Sequence, residues 1–188
     1  MNAKEYAIAI TEELKSILLD INEAQLETLI TSIRSADRIF VAGAGRSRLM
    51  ICGFAMRLMQ AGFTSYVVGE TVTPGINGND LLIIASGSGS TGTLTTIAQK
   101  CKKIGAQLAL ITASAHSPIG SLADYVLEIP TSTSKMDAAT PRTTIQPGGS
   151  AFEQSALLVG DALAAMLLPG GDTDHQNKLL MGNHANLE

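Results

Sequence analysis

Between residues 3 and 20 the apolar positions Tyr6, Ala7, Ile10, Leu14, Ile17 and Leu18 return at helical intervals, while Lys4, Glu5, Glu12, Glu13 and Lys15 fall largely off that stripe. That spacing predicts an amphipathic helix. Asn22, with Gln25 three residues on, is a capping-type start for a second helix that runs to about Ser35. The period then changes. RIFVAGAG (38–45) reads as a short buried strand ending in glycines, and SRLMICGFAMRLMQAG (47–62) returns to helical spacing and closes on Gly62.

The strand-then-helix unit recurs, in structure and not in sequence. TSYVVG (64–69) is a strand, TPGING a turn-rich connection, LLIIAS (81–86) a strand and TGTLTTIAQKCKKIG a helix. QLALIT (107–112) follows as a strand, SPIGSLA as a short helical turn from Pro118, and YVLEIP (125–130) as a last strand stopped by its proline. Five β-rich runs alternating with helices predict an α/β fold: a three-layer α-β-α sandwich on a five-stranded parallel, doubly wound sheet. Residues 131–149 have no sustained period and are rich in Thr, Ser, Pro and Gly, and a loop of that length in a compact domain tends to be functional. SAFEQSALLVGDALAAMLL (150–168) is a helix apolar over most of its circumference, the kind that packs on a partner subunit, and the remaining tail suits a last helix. The expected organisation is one domain over 1–188: N-terminal helices to residue 36, a sheet core at 38–130, an active-site loop at 131–149 and C-terminal helices from 150.

Composition narrows the picture. With 45% hydrophobic residues but only 4% aromatics and no Trp, the core is aliphatic, which suits a parallel sheet between helices. A formal charge of −4 gives no long-range attraction to nucleic acid or anionic lipid, so any anionic ligand must be held locally. Acidic residues interrupt the N-terminal segment where a signal peptide needs its apolar stretch, and no run of 18 apolar residues occurs; a soluble cytoplasmic protein with neither nucleic-acid nor membrane partner is expected. Cys52 and Cys101 stand in helix-like segments and read as reduced packing residues. Nothing has metal-ligand spacing, and neither a metal nor a cofactor is expected.

The chemistry concentrates in two loops. In an open parallel sheet ligands sit beyond the carboxyl ends of the strands, where helix N-termini present free N–H groups. GAGRS (43–47) and SGSGST (86–91) both fall at that edge. Gly45, Arg46 and Ser47 in the first loop, with Ser86, Gly87, Ser88, Gly89, Ser90 and Thr91 in the second, provide close backbone approach, inward N–H groups and neutral hydroxyl donors. Together they read as a phosphate cradle that needs no lysine. The structural alternative is a turn that caps a helix. GAGRSR also begins like a dinucleotide fingerprint with Glu70 as a ribose-binding acid, but Arg48 occupies the third glycine position, and no G-K-[ST] supports a P-loop.

Ser86, Ser88, Gly89 and Thr91 in the spacing S-x-S-G-x-T, after G-x-G-x-S, resemble the SIS (sugar isomerase) domain, a phosphosugar-binding fold of flavodoxin-like type. Within it GAGRS, FAMRL, VGE (68–70), SGSGST, IQPGGSAFEQ and the terminal HANLE are similar to the 6-phospho-3-hexuloisomerase family over nearly the whole chain. Ser90 and Arg48 depart from that pattern, which often has an acidic residue and a glycine there. The resemblance implies an oligomeric, commonly tetrameric, cytosolic enzyme of the ribulose monophosphate route of formaldehyde fixation. Its reaction converts D-arabino-3-hexulose 6-phosphate to fructose 6-phosphate through a 2,3-enediol. Glu153 matches the glutamate to which the family assigns proton transfer, and His184 matches the tail motif, as an acid or proton shuttle.

From the residues alone Ser150 and Glu153 form an S-x-x-E capping box, the structural alternative to a base; a carboxylate in the first turn of a helix also faces the positive end of the dipole, as suits a base. Two other functions stay open. One is a non-catalytic phosphosugar sensor, disfavoured because only about 36 residues precede the first strand and they lack a helix-turn-helix pattern. The other is an isomerase of a different phosphosugar, since sugar length is set by pocket depth.

Overall fold

The computed structural model describes residues 1–131, 144–170 and 173–187; most of the loop read at 131–149 lies outside the described residues. Strands β1 (Ile39–Gly43), β2 (Ser65–Val67), β3 (Leu81–Ala85), β4 (Gln107–Thr112) and β5 (Tyr125–Glu128) form one parallel sheet in the order β2-β1-β3-β4-β5. Around it stand α1 (Ala3–Leu19), α2 (Glu23–Ser35), α3 (Gly45–Gln60), α4 (Gly92–Ile104), α5 (Ser150–Leu167) and α6 (Thr173–Gly182). The predicted α/β class and the five parallel strands are those observed, and each strand falls inside a run read from the hydrophobic pattern.

The strands are buried on both faces, which is why they read as continuous apolar runs and not as alternating ones. Odd-numbered side chains, among them Ile39, Val41, Leu81, Ile83 and Ile111, meet α1, α2, α3 and α5. Even-numbered ones, among them Phe40, Leu82, Ile84, Leu108 and Leu110, meet α4 and the connecting segments that carry Ile76 and Ile119. The three layers are thus lopsided: among the described residues four helices pack on one face and one on the other. On the crowded face α3 and α5 touch at Gly160, where a Cβ would stand 3.2 Å from Phe54 Cβ.

Capping explains where the first helices begin. Asn2 and Glu5 close a reciprocal capping box on α1. Asn22 Oδ1 accepts from Ala24 N–H at 2.9 Å and starts α2. Gln25 does not complete a box there; its Oε1 accepts from Glu128 N–H at 2.9 Å and ties α2 to the edge strand β5. A longer-range bond thus takes the side chain that the local spacing assigned to a cap.

The chain runs from β1 to β2 on one side, then crosses to β3 on the other side of β1, so the strand order reverses between β1 and β3. In register, Gly43 lies beside Ala85, and the loops that follow them leave the sheet as neighbours. Gly43 also lets α3 double back at once, since a Cβ there would be 2.8 Å from Arg48 Cα. The close approach that a dinucleotide fold obtains with a glycine on the helix is met here by a glycine on the strand.

Candidate active site

At that reversal point a cleft of about 270 Å³ opens at the carboxyl ends of β1 and β3. Its walls are the loop into α3 (Ala44, Gly45, Arg46, Ser47), the loop into α4 (Ser86, Gly87, Ser88, Thr91) and the first turn of α5 (Gly149, Phe152, Glu153). Three helices therefore begin at one cavity. Their N-cap residues are Ala44, Thr91 and Gly149, and none makes a side-chain cap hydrogen bond. The first N–H groups of a helix lack intrahelical partners, and aligned peptide dipoles give each such end a partial positive charge. The arrangement suits an anion held by backbone donors.

The serine loop is shaped to keep its hydroxyls at this cleft. Gly89 adopts a φ of +57°, and a Cβ on it would lie 2.0 Å from Ser117 Oγ, so no other residue fits that turn. The loop's carbonyls face the neighbouring segment: Gly87 O accepts from Ala113 N–H and Gly89 O from Ile119 N–H, both at 3.0 Å. Thr91 Oγ1 stands 3.5 Å from Ser86 Oγ, leaving the threonine hydroxyl uncommitted to its own helix. Ser90 is exposed and donates its hydroxyl to Ser88 Oγ at 3.1 Å.

Across the cleft, Glu153 belongs to the first turn of α5. The capping box that S-x-x-E spacing offers is not formed: Ser150 is the first helical residue, and Gly149 is the N-cap. Instead the Arg46 guanidinium Nη1 donates to Ser150 Oγ and to Glu153 Oε2, each at 2.9 Å. Arg46, expected at the cradle, thus pins the carboxylate and joins the first turns of α3 and α5. The Glu153 side chain keeps 17% exposure, so it remains reachable from the cleft.

The structure brings together Gly45, Arg46, Ser47, Ser86, Gly87, Ser88, Thr91 and Glu153 in this one cleft. Gly89 and Ser90 shape the loop without lining the cleft. His184 stands elsewhere. It follows Asn183, whose side-chain amide donates to Gln60 O at 3.0 Å, at the far end of α3. The 16-residue α3 begins at the cleft with Gly45 and spans roughly 24 Å, so His184 lies about one helix length away within its own chain. It is exposed, as is His116. Glu70 accepts from Arg48 at 2.5 Å, and Arg57 pairs with Asp161 at 3.5 Å; neither arginine lines the cleft. Sequence reasoning missed Ala44, Leu94, Gly149 and Phe152 as walls of the cleft, and saw Ser150 only as a cap. The signal for three of these lay in GGSAFE, whose glycine and serine frame the glutamate.

The pattern of the SIS domain matches residues 32–158, and the chain belongs to the SIS domain family. A 3-hexulose-6-phosphate isomerase of Bacillus subtilis is 40% identical over the full length of both chains. One from Mycobacterium gastri is 38% identical, with 95% of this chain and 88% of that one aligned. A Methanococcus jannaschii protein, whose crystal structure is described as inferring a 3-hexulose-6-phosphate isomerase, superposes with a TM-score of 0.80 at 31% identity, covering 98% of this chain and 99% of that one. The isomerase reading of the sequence is borne out by these whole-chain relatives.

Proposed function

We propose that the chain isomerises D-arabino-3-hexulose 6-phosphate to D-fructose 6-phosphate in the ribulose monophosphate route. The observation that carries this reading is the meeting, in one cleft, of three uncapped helix N-termini with the Glu153 carboxylate. The phosphate rests on the serine loop, held by Ser86, Ser88 and Thr91 with the N–H groups that open α4, and by Gly45 and Ser47 from the α3 side. Backbone dipoles favour a dianion there without a lysine.

Moving the carbonyl from C3 to C2 requires that the C2 proton leave and that a proton reach C3. Glu153 takes the C2 proton, and the electron pair forms the C2–C3 double bond as the C3 oxygen gains a proton to give the 2,3-enediol. The resulting carboxylic acid returns its proton to C3 as the C2 oxygen gives up its own, so that a net proton passes from the C2 oxygen to the C3 oxygen. Arg46 holds Glu153 Oε2, which leaves Oε1 for the substrate. With its 6-hydroxyl esterified, a 3-ketohexose cannot close a five-membered ring, so the sugar arrives ready to react.

The enzyme acts in the cytoplasm as a single-domain homo-oligomer, in the reading a tetramer. Among the described residues no helix is long and apolar enough to cross a membrane. Met56 and Met59 of α3, Leu158 and Met166 of α5 and Met181 of α6 are each more than 40% exposed, apolar side chains that a partner subunit would cover. His184 completes a cleft as the shuttle for the oxygen protons only when a partner subunit brings its own α6 to it.

The test is conversion of enzymatically generated D-arabino-3-hexulose 6-phosphate to fructose 6-phosphate, read through a coupled dehydrogenase, with Glu153→Gln in parallel. The wild type is expected to turn over, and the variant to lose about 10²–10⁴-fold in kcat while it still melts like the wild type. A folded wild type that leaves the sugar unchanged would sink the reading.

A further inference from the structure

Helix α1 precedes residue 32, where the SIS match begins, yet it holds the segment that delivers Glu153. Tyr6 and Glu13 are seven residues apart, two turns of helix, so their side chains leave the same face of α1. The Tyr6 hydroxyl donates to the carbonyl of Ile145. One residue on, Gln146 Nε2 donates to Glu13 Oε2 at 3.3 Å. Gln146 is only 5% exposed, and its Oε1 has no partner among the described residues, so the bond to Glu13 fixes which way this buried amide faces. Three residues later Gly149 forms a wall of the cleft and caps α5, and Glu153 follows in the first turn. The same α1 packs along α5 beyond this point, with Leu14 and Leu18 beside Leu158.

We infer that Tyr6 and Glu13 are positioning residues for the isomerisation: α1 is a clasp that seats residues 145–149, and through them the base, against the phosphate cradle. The inference rests on the isomerase reading for its kinetic readout only. Arg46 fixes the carboxylate from the α3 side and the buried Ala151 and Phe152 seat the first turn of α5 on the core, while the two contacts from α1 hold the segment that leads into it. The cradle is built on the loops after β1 and β3, which α1 does not line, so loosening the clasp separates catalysis from substrate binding.

The experiment uses the full chain with Tyr6→Phe, Glu13→Ala, their double variant, and Glu13→Gln, which keeps an acceptor oxygen for Gln146. In the double variant kcat is expected to fall about tenfold or more while KM stays within about twofold, and Glu13→Gln is expected to keep most of the activity that Glu13→Ala loses. Hydrogen exchange supplies a reading independent of turnover: amides of residues 144–153 are expected to exchange about tenfold faster in the double variant, with those of β1 and β3 unchanged. Unchanged kcat with unchanged exchange overturns the clasp, as does a glutamine variant as impaired as the alanine one. If the wild type does not act on the hexulose phosphate, the isomerase reading fails, and the exchange pattern alone then upholds or overturns the clasp.

Discussion

The two ends of the sheet treat polar groups in opposite ways. At the amino end Asp80 is fully buried, and its carboxylate accepts from Arg38 Nε at 3.0 Å, Arg38 Nη2 at 2.6 Å and the Asn77 N–H at 2.7 Å. Arg38 goes on to donate to Gly75 O and lies over the Phe40 ring, 5.3 Å from its centroid. Hydrogen bonding to Asp80 raises the guanidinium's pKa above its ordinary value. At the carboxyl end three helix N-termini open on the cleft with no side-chain cap. A buried polar group lowers stability unless it is partnered, as Asp80 is, whereas helix N–H groups that open on a cleft stay accessible to solvent or to a ligand. One end of the sheet closes its polar groups on one another, and the other leaves three helix N-termini open to a cleft.

The sharpest way to break this comparison is Asp80→Ala. Removing the buried carboxylate strands the Asn77 N–H and leaves the partly exposed Arg38 with Gly75 O alone, and a fall in melting temperature of about 5 °C is expected, with KM for the sugar phosphate unchanged in the folded fraction. A raised KM would mean that the amino end takes part in binding. Ser88→Val tests the opposite end: the branched side chain crowds the cradle and removes a donor, and KM is expected to rise about tenfold or more while the melting temperature hardly moves. Unchanged saturation would remove Ser88 from the cradle.

A smaller contrast compares two N-caps. Asn22→Ala removes a cap bond and is expected to cost about 1 kcal/mol in denaturant unfolding. Thr91→Ala occupies the same helical position in α4 but breaks no cap bond, so its stability loss should be well under that, with a higher KM as its main effect. Equal losses from the two would show that Thr91 is an ordinary cap. The smallest effect concerns Cys101, whose Sγ lies near the carbonyls of Ala106 and Gln107 at the amino end and whose thiol burial pushes up to about 11. Because the folded pKa lies above the thiol's ordinary value of 9.0, stability is intact below pH 9 and declines as pH rises toward 11. Thiol labelling of the native protein at pH 8 should modify Cys52 and spare Cys101.

Much of the fold was legible because parallel strands and their helices carry different periods. LLIIA at 81–85 is apolar without a break since both its faces are covered, and the switch to helical spacing after Thr91 follows from α4 presenting Leu94, Ala98 and Cys101 to the sheet. The serine loop was legible for a related reason: a turn at φ +57° against Ser117 admits only Gly89, and short hydroxylated residues around it leave room for a ligand. What misled local reasoning were side chains with two possible partners. Gln25 and Ser150 each sit at cap spacing, yet one bonds β5 and the other bonds Arg46, since contacts between distant segments compete with local ones on equal terms.

By itself the sequence determined the element types, the parallel sheet and the two loops at its carboxyl edge, because each depends on residue type at short spacing; Glu153 stood out only through the family resemblance, since its spacing to Ser150 reads equally as a cap. Only the tertiary structure decided that the strand order reverses between β1 and β3, that three helix starts meet there, that Arg46 faces Glu153, and that His184 stands a helix length away. Those facts join residues from dozens to more than a hundred positions apart, and their spacing along the chain carries no trace of the distance between them in space.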